Sequence, residues 1–299
     1  MKILIFGGEG QLGYELVQQS QAFGHTVTAP SETQANIVNI DEVKRNVDTY
    51  RPSLVINSAA YTAVDKAETE KKIAFDVNKT GAANLARCCA EAHIPLIQIS
   101  TDYVFDGQKG APYLETDPIS PLGIYGRSKA DGEAEVRSHL NKHIIIRTSW
   151  LYGVHGYNFV KTMLRLAREK ELIQVVADQH GSPTSACDLA EAILNICRQI
   201  ENRRAINWGT YHYCGQGITT WHEFAETILE LSRSKSTIKA ARIEPLSTAE
   251  YPTSATRPQF SALDCSRITH CFGIKPKPWR KSLKRVIEKI YSSSNEAKN

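Results

Sequence analysis

Ile3-Leu4-Ile5-Phe6-Gly7-Gly8-Glu9-Gly10-Gln11-Leu12-Gly13 follows Met1 and Lys2. The short apolar run reads as a buried β-strand. It breaks at once into glycines at 7, 10 and 13, and Tyr14-Glu15-Leu16-Val17-Gln18-Gln19 continues as a helix. Gly7 permits the tight turn. Gly10 lets an anionic ligand approach the backbone. Gly13 lets helix and strand pack closely. The helix start offers free N–H groups and the positive end of its dipole to a pyrophosphate. A glycine triplet alone is common, but between a first strand and a helix it marks a dinucleotide site.

Working outward, His25-Thr26-Val27-Thr28-Ala29 reads as a second strand. An NAD-selective site usually carries Asp or Glu at this strand's end. Here Pro30-Ser31 follow, with Glu32 beyond. No acid stands where it would repel a 2′-phosphate, which points to NADPH. No arginine stands nearby to grip that phosphate, so NADH is also admitted. Leu54–Asn57 is a further buried strand, running into Ser58-Ala59-Ala60-Tyr61-Thr62-Ala63-Val64-Asp65. Glu70 to His93 reads as helix, Ile94 to Ser100 as strand, Lys129 to His139 as helix and His143 to Arg147 as strand. This alternation predicts an α/β fold, a Rossmann-type doubly wound parallel sheet with helices on both faces.

Beyond Gly153 the pattern changes. A cationic helix at Phe159–Arg168, a short strand at Gln174–Val176 and a loop at Asp178–Thr184 precede a helix at Ala186–Ile200. A strand at Thr210–Tyr213, a helix at Trp221–Leu231, a proline-rich segment at 251–258 and a helix at Arg280–Ile290 complete the series. We expect a dinucleotide-binding domain over 1–150, to which the chain returns around 173–200. We expect a smaller α+β substrate lobe over 151–299, with the cleft between the two. The polar tail from Ser292 to Asn299 is expected to fray.

The candidate chemistry lies in Ser100-Thr101-Asp102-Tyr103-Val104-Phe105 and Tyr125-Gly126-Arg127-Ser128-Lys129. Tyr125 and Lys129, four apart, share one helix face. A phenol is a slow acid near neutral pH, and a neighbouring ammonium pulls its pKa down. The Thr101 hydroxyl, at a strand end, can bond the phenol or a substrate oxygen. Such a set moves a proton onto a carbonyl oxygen or takes one from an alcohol. Tyr-x-x-x-Lys by itself is usually a surface pair; the upstream glycine turn gives it weight.

Composition narrows the classes. The 299 residues suit two domains, or one large one with a lobe. A net charge of +4 without a basic run argues against nucleic-acid binding. No apolar run is long enough for a membrane span or signal segment. The cysteines are odd in number, at 7, and lack metal-type spacing, which suits reduced thiols in a cytoplasmic protein.

Together with the Asp178-Gln179-His180-Gly181-Ser182-Pro183-Thr184 loop, Trp221-His222-Glu223-Phe224-Ala225, Tyr251-Pro252-Thr253 and Arg257-Pro258, these segments give a resemblance spanning nearly the whole chain. The chain resembles the dTDP-4-dehydrorhamnose reductases of the extended short-chain dehydrogenase/reductase superfamily. The resemblance implies Thr101, Tyr125 and Lys129 as the catalytic set. It implies Gly7, Gly10, Gln11, Leu12 and Gly13 around the cofactor pyrophosphate. Ala59, Ala60 and Tyr61 would flank its ribose and nicotinamide side. Asn36 and Ile37 fall near the adenine, Asn36 standing where the family often has an acid. Val64, Asp102, Tyr103 and Trp150 would line the sugar site. Arg257 is assigned here to the substrate pyrophosphate, on the ground that Arg grips phosphate oxygens bidentately.

The implied reaction is reduction of the C4 ketone of a dTDP-bound 6-deoxy-hexulose. Reduction of a related dTDP-4-keto sugar, including a streptose-type product, is the alternative. A regulatory role like that of the methionine adenosyltransferase β-subunit is another, against which the intact threonine, tyrosine and lysine speak. Some enterobacterial members form homodimers bridged by magnesium through glutamates. Glu15 matches one such position, but Cys187 falls near another, so no metal site is expected.

Overall fold

The structure, a computed structural model, describes residues 1–202, 205–240 and 242–296. In chain order the first half comprises β1 (Lys2–Phe6), α1 (Gln11–Ser20), β2 (Thr26–Thr28), α2 (Ile40–Tyr50), β3 (Leu54–Asn57), α3 (Val64–Ala67), α4 (Lys71–Phe75), α5 (Ala82–Glu91), β4 (Leu96–Thr101), α6 (Ile124–His139) and β5 (His143–Thr148). The second half adds β6 (Leu151–Tyr152), α7 (Phe159–Glu169), β7 (Leu172–Val176), β8 (His180–Gly181), β9 (Thr184–Ser185), α8 (Ala186–Glu201) and β10 (Gly209–His212). It ends with β11 (Thr219–Thr220), α9 (Trp221–Arg233), β12 (Arg242–Leu246), α10 (Ser266–Phe272) and α11 (Trp279–Glu296).

Six of the strands make one parallel sheet in the order β10-β5-β4-β3-β1-β2. Side chains alternate across each strand, so each strand must be apolar throughout when both faces are covered. Ile3 and Ile5 of β1, Ile56, Ile97 and Ile144 pack with Leu12 and Leu16 of α1 and Leu189 and Ile193 of α8. Leu4 and Phe6, one residue out of step, pack on the other face with Val43 and Val47 of α2, Leu85 of α5 and Val136 of α6. From β1 the sheet runs to β2 on one side and to β3 on the other. The crevice outside the strand ends at such a reversal is where doubly wound sheets bind ligands.

A second apolar cluster forms from residues of the later half of the chain. Phe224 and Ile228 of α9, Val160 and Leu164 of α7, Leu283 and Ile287 of α11, and Ile173 and Val175 of β7 form it. β7 pairs in parallel with β12. Among the described residues no helix is long and apolar enough to cross a membrane.

Four expectations need correction. The strand expected in the substrate lobe around Thr210 is β10, which pairs with β5 and completes the main sheet. Four residues of strand carry no mark of their partner, and only tertiary pairing reveals it. The helix expected over 70–93 is broken: a π-helical stretch, Asp76–Gly81, separates α4 from α5. The loop expected over 178–184 contains β8 and β9. The polar tail is helical through Glu296, and its last three residues, 297–299, lie outside the described residues.

Candidate active site

A cavity of about 880 Å³ lies where the glycine turn, the ends of β3, β4 and β5, and the segment from Trp150 to Asn158 meet. Gly10, Gln11, Leu12, Ala60, Thr101, Asp102, Tyr125, Lys129 and Trp150 all line it.

The glycine turn is shaped by contact with the protein at two positions. Gly7 has φ +80°, and a Cβ there would lie 2.4 Å from the Ala59 nitrogen. At Gly13 a Cβ would lie 2.1 Å from the Gly7 carbonyl oxygen. Gly10 differs, since a Cβ there would meet only the Gly7 oxygen, at 3.4 Å. It caps α1 without a side-chain acceptor for the first N–H groups. Those donors at the cavity edge suit a pyrophosphate. Ala59 itself backs Gly7, while Ala60 lines the cavity.

Thr101 ends β4 and is buried. Its hydroxyl donates to Asp102 Oδ1 at 3.1 Å and accepts from the Tyr103 N–H at 3.2 Å. Asp102 is also buried, and burial lifts its carboxyl to about 7 against the pull of the Ser261 and Thr101 hydroxyls. Among the described residues the buried polar side-chain atoms without a hydrogen-bond partner are His25 Nε2, Asp102 Oδ2 and Thr148 Oγ1. Two of those three belong to residues lining the cavity. Buried polar atoms are normally satisfied, so this pair suits a polar ligand.

Helix α6 begins five residues earlier than expected and carries both Tyr125 and Lys129. Its start is fixed by Glu68, whose carboxylate accepts from the Ile124 N–H at 2.8 Å. The Tyr125 ring meets the Tyr103 ring edge-on at 5.8 Å. Lys129 is 5 % exposed and donates to the Ile99 carbonyl at 2.7 Å. Burial lowers its amine to about 8, against the attraction of Glu133 one turn further on. The expectation that Lys129 makes the phenol acidic is not met here. Burial drives Tyr125 up to about 12, against a hydrogen bond with Thr101. The phenol therefore keeps its proton at neutral pH.

Beneath Lys129 runs a closed polar network. Glu133, 1 % exposed, accepts from Arg147 Nε at 2.9 Å and Nη2 at 2.7 Å, from Ser100 at 2.6 Å and from Arg137 at 3.0 Å. These donors hold its carboxyl below the usual range despite burial.

Trp150 adopts φ +47°, in the left-handed region that a bulky residue rarely enters. Its indole stacks on Trp221 at 3.5 Å and 7°. Gly181 makes room, since a Cβ there would come within 2.4 Å of the indole. Strain at a cavity wall is retained only where surrounding packing enforces it.

The other expected residues are placed elsewhere. Arg257 makes a two-pronged ion pair with Asp65, at 3.1 and 2.7 Å, tying the segment near residue 257 to α3. It lies outside the lining of the large cavity, beside a small recess that Val64, Tyr103 and Tyr125 share. Ile37 is buried in the core against Gly81. Asn36 sits in an exposed turn, its side chain accepting from the Val38 N–H. Tyr61 donates its hydroxyl to Glu70 at 2.6 Å.

Sequence reasoning missed Asn78 and Asn158. Asn78, in the π-helical stretch, accepts from the Tyr61 N–H at 2.9 Å and donates to the Tyr61 carbonyl and the Ser128 hydroxyl, both at 3.0 Å. It thereby ties the loop after β3 to α6. Asn158 caps α7 and donates to the Gln11 side chain at 3.0 Å. His155, three residues earlier, stacks on Tyr14 and bonds the Glu9 carbonyl. Residues 153–158 thus lie as a strap across the glycine turn. Asn158 stands where a helix cap is expected and Asn78 carries no local signal, and the partners of both lie too far along the chain to be inferred.

The RmlD substrate binding domain model matches residues 1–292. A dTDP-4-dehydrorhamnose reductase of Aggregatibacter actinomycetemcomitans is 40% identical over 287 residues, 95% of this chain and 98% of that protein. A solved dTDP-4-dehydrorhamnose reductase from Clostridium acetobutylicum superposes with TM-score 0.90 at 38% identity, covering 97% of this chain and 99% of that one. Another, from Bacillus anthracis in complex with NADP, gives 0.89 at 37% identity, covering 96% and 99%. The family model and these near-full-length likenesses agree with the glycine turn, threonine, tyrosine and lysine gathered in one cavity, and the chain belongs to the dTDP-4-dehydrorhamnose reductase family.

Proposed function

We propose that this chain is an NADPH-dependent oxidoreductase that reduces the C4 ketone of dTDP-4-dehydrorhamnose to give dTDP-L-rhamnose, a step of nucleotide-sugar biosynthesis. The observation that carries this reading is the single cavity joining the glycine turn to Thr101, Tyr125 and Lys129.

NADPH, when bound, supplies the hydride. The turn at Gly7–Gly13 and the first N–H groups of α1 would hold its pyrophosphate, with Ala59, Ala60 and Tyr61 on its other side. Tyr125, kept protonated by burial, donates its proton to the oxygen of the reduced carbonyl. Thr101 turns its one hydroxyl proton from Asp102 toward that oxygen. Lys129, charged below about pH 8, supplies positive charge beside the phenol once its proton leaves. Asp102, Tyr103, Val64 and Trp150 shape the sugar site. Arg257, held by Asp65 and the Ala255 carbonyl, is assigned to a substrate phosphate. The free thiols suit a cytoplasmic enzyme, and assembly as a homodimer belongs to the same reading.

The test is turnover by the purified chain. NADPH oxidation should require a dTDP-4-keto-6-deoxy-hexose, and NMR of the product should show the L-rhamnose configuration. A different configuration would favour a related sugar reductase, and absence of turnover would remove the enzymatic reading.

A further inference from the structure

Cys214 and Cys265 are 51 residues apart in sequence, yet their sulfur atoms lie 3.6 Å from each other. The Cys214 N–H donates to Cys265 Sγ at 3.4 Å, which aims the two sulfurs at one another. Cys214 follows the edge strand β10, and Cys265 is the N-cap residue of α10. Both line an open cleft of about 970 Å³, separate from the cavity described above. Cys214 is 3 % exposed and Cys265 is half-buried, so a small oxidant reaches the pair through the cleft. The other free cysteines are Cys88, Cys89, Cys187, Cys197 and Cys271, and among the described residues no other pair of sulfurs is in hydrogen-bond contact.

We propose that Cys214 and Cys265 are a site of reversible oxidation, closing to an intramolecular disulfide when the chain meets hydrogen peroxide. A disulfide needs sulfurs about 2 Å apart, so the pair must close by about 1.5 Å, on a loop residue and a helix cap rather than two rigid strands. Either sulfur can donate to the other, and the Cys214 S–H also reaches the Leu263 carbonyl at 3.6 Å; contact with Cys265 pulls the Cys214 thiol down, and contact with Cys214 pushes the Cys265 thiol up. That polarity assigns the order of events. The Cys214 thiolate attacks one peroxide oxygen, the O–O bond breaks, and the chain carries a sulfenic acid as hydroxide departs. The Cys265 sulfur then attacks the Cys214 sulfur. The S–S bond forms, the S–O bond breaks, and the hydroxyl leaves with the thiol proton as water. Two thiols and one peroxide give one disulfide and two waters, and an added dithiol reverses the change.

The bond would join the segment beyond β10 to the one that carries Ser261 and Arg257, closing a long loop in the unfolded chain. The experiment treats the full chain with a small excess of hydrogen peroxide, alkylates it, digests it without reductant and maps the peptides by mass. The expected result is a Cys214–Cys265 cross-linked peptide lighter by two hydrogens, absent after dithiothreitol and absent from Cys265→Ser. The oxidised chain should melt several degrees higher than the reduced one. Cys265→Ser should keep basal stability and show the Cys214 sulfenic acid trapped by a dimedone-type reagent. Both cysteines recovered fully alkylated, a cross-link to another cysteine, or over-oxidation of Cys265 without a cross-link would each overturn the assignment.

Discussion

Replacing Lys129 by methionine separates stability from activity in a direction that few active-site substitutions take. The ammonium is almost fully buried, with the Ile99 carbonyl as its hydrogen-bond acceptor. Its folded value, about 8, lies below the ordinary 10.5. That difference corresponds to about 3 kcal/mol against the charged form, at about 1.4 kcal/mol per tenfold. Below pH 8 the native chain carries this cost in full. Between about 8 and 10.5 the unfolded chain still holds the proton and the native one has lost it, so stability rises with pH across that window. Lys129→Met removes the cost together with one of two side-chain donors to the Ile99 carbonyl, which keeps the Gln98 amide, a loss of about 1 kcal/mol. The net expectation at neutral pH is a gain of about 2 kcal/mol, seen as a melting temperature a few degrees higher. Meanwhile kcat/KM should fall at least 100-fold, on the scale of losing an acid–base participant. In the unaltered chain kcat/KM should decline above about pH 8 as the amine loses its charge, well before Tyr125 titrates near 12. Thermal melts and initial rates of NADPH oxidation across pH measure both. An unaltered chain whose rate stays level to about pH 9.5, or a methionine variant that melts lower than its parent, would refute the reasoning.

Tyr125→Phe removes the donated proton and should cut kcat by roughly two to four orders of magnitude, with NADPH binding by fluorescence titration little changed. Gly181→Ala places a methyl within 2.4 Å of the Trp150 indole; KM for the dTDP-sugar should rise, while KM for NADPH stays near its original value. Glu133→Ala leaves Arg147 charged and buried without its partner, and should destabilise the fold by about 3–5 kcal/mol in urea titrations.

Most of the sheet was legible because its strands are covered on both faces. Leu4, Phe6, Val55 and Ile145 point one way and Ile3, Ile5, Ile56 and Ile144 the other, so unbroken apolar runs mark them. The glycine turn was legible because the positive φ of Gly7 and the contact of Gly13 with Gly7 are set within a few residues, although Gly7 also abuts the distant Ala59. The candidate trio of Thr101, Tyr125 and Lys129 was legible as residue types. Its protonation states were not, since burial of Tyr125 and Lys129 depends on what the rest of the chain places around them. Arg257 shows the same limit. A two-pronged grip on an anion was readable from the residue type, but the Asp65 pair that holds it lies 192 residues away. Ile37, expected near the adenine, turns its side chain to the core against Gly81, a contact its sequence neighbours do not announce.

The order of the sheet has a consequence for synthesis. The outer partner of His143–Thr148 is Gly209–His212, so the isoleucine-rich strand emerges from a ribosome long before its neighbour is made. During that interval its edge offers unpaired N–H and C=O groups to any passing chain. Cutting the polypeptide after residue 150 would make that exposure permanent. A fragment of the first 150 residues should therefore aggregate, and adding residues through 212 should be the least extension that returns it to solution.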